Sequence, residues 1–93
     1  MRYSELLEKL RKQGVDEVSR MLQEKAASVL LSRPEYVVFP HIHGPVYPMY
    51  LGEDQDRELH EEEVKAICRR FRIDALALLE EQRRGGSEVK GNQ

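Results

Sequence analysis

The chain has 93 residues, of which 40% are hydrophobic, 34% charged and 6% aromatic, and its 15 basic and 17 acidic side chains leave a formal net charge of −2. That length fits one small domain and excludes two independent cores. A single cysteine excludes a disulfide scaffold, apolar runs no longer than Ala75–Leu79 exclude a spanning helix of roughly 20 residues, and the charge balance argues against a strongly basic nucleic-acid coat protein.

Residues 4–13 are expected to form a short helix. Ser4 suits the N-cap, Leu6, Leu7 and Leu10 share a face, and Gly14 stands where a left-handed C-cap residue is wanted. Residues 16–31 predict a second, amphipathic helix. Val18, Met21, Leu22, Ala26, Val29 and Leu30 fall on one stripe of a 3.6-residue period, Asp16 can cap, and Pro34 ends the element. Tyr36–Phe39 reads as a strand, His41–Pro45 as a turn, and Val46–Leu51 as a second strand. Its prolines mark an edge or a break, because proline donates no ladder hydrogen bond.

Residues 52–58 form an acidic loop, and a helix follows over roughly 59–72 with Val64, Ile67, Cys68 and Phe71 on one face. Glu61, Glu62 and Glu63 at its start and Arg69, Arg70 and Arg72 at its end suit the helix dipole. Asp74 caps a fourth helix that ends near Arg84 and is stopped by Gly85-Gly86. The expected domain is 1–84, with a disordered tail over 85–93. The fold class is a helix-dominant α+β arrangement in the order α-α-β-β-α-α, with a two-stranded hairpin packed on helices.

No apolar segment follows Met1-Arg2-Tyr3-Ser4-Glu5, so no secretory signal is expected, and Arg2 does not suit myristoylation. The lone Cys68 suits a reducing interior. The cytoplasm is the expected compartment, with no membrane association. Charge is uneven along the chain: residues 1–33 carry +2, residues 34–68 carry −6, and residues 69–93 carry +2. Such blocks are either simply solvated or favour association between copies.

Several segments invite a chemical reading. His41 and His43, two apart in Phe39-Pro40-His41-Ile42-His43-Gly44-Pro45, point to one side of an extended strand and could face one metal ion. No local motif supplies a third ligand, so no metal and no cofactor is assigned. A histidine there could instead act as a general base on a phosphodiester, with arginines near 69–72 as counter-charges. The loop from Asp54 fails as a calcium loop, with Leu59 where glycine is needed and Lys65 where glutamate is needed. Gly85-Gly86 follows a helix, the wrong polarity for an anion site. Cys68 lies on an apolar face and reads as a core thiol. Arg69, Arg70, Arg72, Arg83 and Arg84 could form a basic patch. The helix that would read bases, however, offers Ala75, Ala77, Glu80 and Glu81, so nucleic-acid binding is not the expected role.

The cadence Glu58-Leu59, Val64, Lys65, Ile67, Arg69, Ile73 and Leu79 resembles the C-terminal part of small HicA-like toxins, and Ser4-Glu5-Leu6-Leu7 to Gly14 resembles their first helix. The resemblance covers about a third of the chain. It implies an α+β fold of the double-stranded-RNA-binding kind and RNA cleavage countered by an antitoxin. The catalytic glycine-histidine step of that family is absent here. Only His41 or His43 stands as a substitute.

The leading expectation is therefore a small non-catalytic protein-interaction or regulatory module that self-associates, with no catalytic residue assigned. Its anchors are Met21, Leu22, Tyr47, Met49, Tyr50 and Phe71, since large apolar and aromatic groups dominate interface energetics. The alternative is a HicA-like mRNA interferase using His41 or His43.

Overall fold

The structure, a computed structural model, describes residues 1–39 and 41–80. The expected tail over 85–93, the helix end near Arg84, and Arg83 and Arg84 lie outside the described residues.

Helix α1 spans Tyr3–Lys12 and buries Tyr3, Leu6, Leu7 and Leu10, the i, i+3, i+4, i+7 spacing of one helical face. Its N-cap is Arg2, whose N–H donates to Glu5 Oε1 at 3.0 Å. Ser4, expected to cap, lies inside the helix, and its N–H donates to Asp56 Oδ1 at 2.7 Å. One of the two carboxylates that satisfy this terminus thus comes from the distant acidic loop. The backbone donation from Ser4 holds Asp56 below the usual carboxylate range. The end of α1 follows the sequence. Gly14 adopts φ +82°, the Gly14 N–H reaches the Arg11 carbonyl at 3.1 Å, and the Val15 N–H reaches that of Leu10 at 2.9 Å.

The expected helix over 16–31 is not a helix. Strand β1, Asp16–Gln23, turns through Glu24-Lys25 into strand β2, Ala26–Ser32, and the two pair antiparallel from Gln23↔Ala26 to Asp16↔Ser32, with a bulge between Glu17 and Ser19. The helical stripe omitted Val15, Ala27 and Leu31, and all three are fully buried. Ala27, Val29 and Leu31 alternate, the period of a half-buried strand. Met21 and Leu22, members of the stripe, are 66% and 58% exposed.

A 3₁₀ turn, Pro34–Tyr36, leads into a small arm: strand β3, Val37–Val38, pairs with strand β4, His41–Ile42. Strand β5, Val46–Gly52, does not pair with Tyr36–Phe39 as expected. It joins the free side of β2, giving a three-stranded antiparallel sheet in the order β1-β2-β5.

Helix α2, Glu61–Arg70, buries Val64, Ile67 and Cys68. It ends as α1 does. The Arg72 N–H reaches Arg69 O at 3.3 Å and the Ile73 N–H reaches Cys68 O at 2.8 Å, with Arg72 at φ +57° where glycine is the usual residue. Helix α3, described over 75–80, starts under Asp74, whose carboxylate accepts from the N–H groups of Leu76 and Ala77. The order is thus α-β-β, a two-stranded arm, β, α-α. Among the described residues strand and helix hold nearly equal shares, 35% and 37%, which corrects the helix-dominant expectation.

One core results. Leu6 and Leu10 of α1, Ala27, Val29 and Leu31 of β2, Met49 and Leu51 of β5, Ile67 and Cys68 of α2, Phe71, and Leu78 and Leu79 of α3 all belong to it. Tyr3 is buried, and its hydroxyl donates to Glu17 Oε1 at 2.8 Å. Burial first, and then the Glu17 carboxylate, push the phenol's pKa well up. The acidic loop closes the structure by ordinary pairing: Glu58 meets the N-terminal ammonium, and Arg57 meets Glu63 at 2.6 Å. Asp54, Asp56 and Glu58 of the loop therefore cap and pair with their own chain.

Candidate interaction surface

The arm is built by local constraints. Pro34 sets φ for the first 3₁₀ residue, the Tyr36 N–H reaches Arg33 O, and the His43 N–H returns to Tyr36 O at 2.9 Å. The Tyr36 ring lies so close to Gly44 that an added Cβ would come within 2.1 Å of Cδ2, so no side chain fits there. Ser32, fully buried, ties the base by donating its hydroxyl to Pro45 O at 2.9 Å. These contacts hold out a run of four consecutive exposed apolar residues, Tyr36 to Phe39, with Val38 at 59% and Phe39 at 94% exposure.

The sheet has a solvent face opposite the helices. Partners across an antiparallel pair share a face, so Met21, Ser28 and Tyr50 form one row and Ser19, Leu30 and Pro48 the next. Tyr50 is 65% exposed. Of the other expected anchors, Tyr47 is half-buried against the core, whereas Met49 and Phe71 are buried within it. Met21, Leu22 and Tyr50 are thus presented to solvent, while Met49 and Phe71 are spent on the chain's own packing. Sequence reasoning left out Val37, Val38, Phe39 and Leu76 as exposed apolar groups. The signal for the first three was present: an apolar quartet between prolines with no alternation to give it a buried face.

His41 and His43 both lie on or beside β4, with ring centroids 6.2 Å apart and planes tilted by 58°. Among the described residues, no group of three or more histidine, cysteine, aspartate or glutamate side chains is placed to hold a metal ion. A cavity of about 410 Å³ at the base of the arm is lined by Arg33, Tyr36, Pro45, Arg70, Phe71 and Arg72. Arg33 donates there to Gln13 O and, at 3.1 Å, to Phe71 O, bracing the C-terminal ends of α1 and α2 together. A second cavity, about 210 Å³, lies beside it against Lys9, Lys12, Arg72 and Asp74. Cys68 is fully buried, and desolvation raises its thiol pKa, so it offers no exposed nucleophile.

The two edges of the sheet differ. On β5, the Val46 carbonyl accepts from Arg70 Nε at 2.8 Å, and the Tyr50 carbonyl accepts from Arg57 Nε and Nη2 at 3.2 and 3.0 Å. Pro48 between them has no N–H to offer. On β1, Arg20 is the one charged residue from Ser19 to Gln23. Both oxygens of Glu17 neutralise it at 2.8 Å, and it also reaches Gln55. The Arg20 hydrogen bonds hold Glu17 below the usual carboxylate range.

No protein-family model matches the chain, and no curated protein and no solved structure matches it. Among the described residues, no helix is long and apolar enough to cross a membrane.

Proposed function

We propose that this protein is a small non-catalytic protein-interaction or regulatory module that acts by associating with copies of itself, in the cytoplasm. The observation that carries the reading is the exposed apolar run from Tyr36 to Phe39, held away from the core by the arm. Three or more consecutive exposed apolar residues are unfavourable on a surface that stays in water, and they mark a contact site. Met21, Leu22 and Tyr50 add apolar surface on the sheet. A net charge of only −2 sets up little long-range repulsion between copies. Sedimentation velocity of the full chain over a wide concentration range tests the reading. A species heavier than 10.9 kDa that grows with concentration is expected. A single 10.9 kDa species throughout overturns it.

A second reading, the HicA-like mRNA interferase, draws support from the arginine-lined cavity. Arg33, Arg70 and Arg72 converge at the base of the arm that carries His41 and His43. An antiparallel three-stranded sheet preceded and followed in sequence by helices also agrees with the fold implied by that resemblance. RNA cleavage by purified protein that disappears in His41→Ala or in His43→Ala supports it. Inertness toward RNA removes it.

A further inference from the structure

We infer that two copies of the chain pair through their β1 edges, antiparallel and centred on Met21, to form one continuous six-stranded sheet. This rests on the self-association reading and adds the β1 edge to the arm as a contact between copies.

An unprotected sheet edge is a template for another strand, and proteins that stay monomeric block their edges with charge, proline or a covering element. This chain blocks one edge. On β5, the outward residues are Val46, Pro48 and Tyr50; two arginines occupy the carbonyls and the proline lacks the donor. The β1 edge from Ser19 to Gln23 has no comparable cover among the described residues. Its single charge is already neutralised by Glu17, and its flanking apolar side chains, Met21 on one face and Leu22 on the other, are both more than half exposed. Pairing there would give the open backbone groups partners and remove both side chains from water.

The local geometry fixes the register. A two-residue turn closes on the Gln23–Ala26 pair, so Gln23, Met21 and Ser19 direct their backbone groups to β2, and Arg20 and Leu22 direct theirs outward. The bulge at Val18 and the left-handed Glu24 bracket this free stretch, and Met21 is its midpoint. An antiparallel pair about Met21 sets Arg20 opposite Leu22 of the second copy and gives four backbone hydrogen bonds between chains. Sliding two residues one way puts Arg20 opposite Arg20 of the second copy. Sliding the other way runs the pairing past the turn. The centred pair also joins the row Tyr50, Ser28 and Met21 of one copy to the same row of the other, so the two exposed Met21 side chains cover each other.

Cysteine cross-linking reads both the surface and the register. In Met21→Cys the two thiols face each other across the axis, where cross-strand Cβ atoms lie about 4.5–5.5 Å apart. In Gln23→Cys they are four residues out of line, roughly 14 Å at ~3.4 Å per residue, beyond disulfide reach. Under oxidised glutathione, Met21→Cys is expected to form a disulfide-linked dimer in at least tenfold higher yield than Gln23→Cys. Buried Cys68 does not compete. Leu22→Pro removes an outward N–H without touching the β1–β2 ladder. It is expected to weaken the dimer at least tenfold in sedimentation, with Met21→Lys as a second variant should the proline disturb folding. Equal cross-linking from the two cysteine variants, or an unchanged dimer in Met21→Lys, overturns the inference. If the wild-type chain is still heavier than a monomer in that case, self-association stands and uses another surface. If it is monomeric, both readings fall.

Discussion

Glu24 is the first of two turn residues between β1 and β2, and it holds φ at +59°. A left-handed backbone costs a non-glycine residue about 1–2 kcal/mol, because Cβ crowds the following carbonyl oxygen. Glycine removes that crowding but enlarges the unfolded ensemble, which takes back about 0.4–1 kcal/mol. The Glu24 side chain is exposed, so little packing is lost. Glu24→Gly should therefore stabilise the fold by about 0.5–1 kcal/mol. The same substitution in the middle of a helix over 16–31 would instead cost about 0.5–1 kcal/mol. The hairpin and the helix thus differ in sign as well as size. In a domain of this length 1 kcal/mol moves the thermal midpoint by roughly 4–8 °C, well within the resolution of a melt followed by circular dichroism. A rise of about 2–8 °C is expected. A fall of similar size would refute the turn and the strand pairing that depends on it.

Other expectations follow from the same contacts. Arg57→Ala strips the Tyr50 carbonyl and the Glu63 carboxylate of their shared donor. It should lower stability by about 0.5–1.5 kcal/mol in urea and, by opening the β5 edge, let sedimentation show species larger than a dimer. The carboxyls of Glu17 and Asp56 are held below their ordinary values of 4.5 and 3.8 by the Arg20 and Ser4 hydrogen bonds. Each is depressed in the folded state, so its contribution is present above the unfolded value and is lost as pH falls through the folded one. The urea midpoint should accordingly drop as pH passes below about 4, and Asp56→Asn should flatten that dependence; an unchanged slope refutes the role of the cap. Arg72→Gly relieves φ +57° at the end of α2 and should raise the thermal midpoint by a few degrees, by the same reasoning as Glu24→Gly.

The helices were legible because their signals are local. Gly14 and Asp74 act as the sequence suggested, and the apolar spacing of α1 and α2 is unambiguous. The β1–β2 hairpin was not. The stripe from Val18 to Leu30 shares Val29 with the alternating set Ala27, Val29, Leu31, so helical and extended periods competed for the same residues. Strand β1 gave no help, because Ser19 to Gln23 are all exposed and nothing selects a buried face. Glu24-Lys25 also lacks the Asn-Gly or Asp-Gly signature of a tight hairpin. The partner of β5 was hidden for another reason. Tyr36–Phe39 is nearer in sequence, but β2 offers a full-length edge over the core, and long-range packing outweighs proximity.

The candidate surface was only half legible, and the division is instructive. Met49 and Tyr50 are adjacent, equally suited to an interface, and fated oppositely by alternation along β5. Their sequence shows that one faces each way, but only the docking of α1 and α2 decides which face is covered. Edge protection divides in the same manner. Pro48 announces itself from the sequence, whereas Arg57 and Arg70 act on carbonyls 7 and 24 residues away and look like ordinary surface charges until the strand is in place. Arg20 shows the converse: it reads as a charge that would guard β1, yet the fold turns it onto Glu17 and leaves the edge unguarded. What distinguishes a blocked edge from an open one is therefore where each guanidinium ends up and not how many the strand carries. On that criterion this chain closes β5 against pairing and leaves β1 available for it.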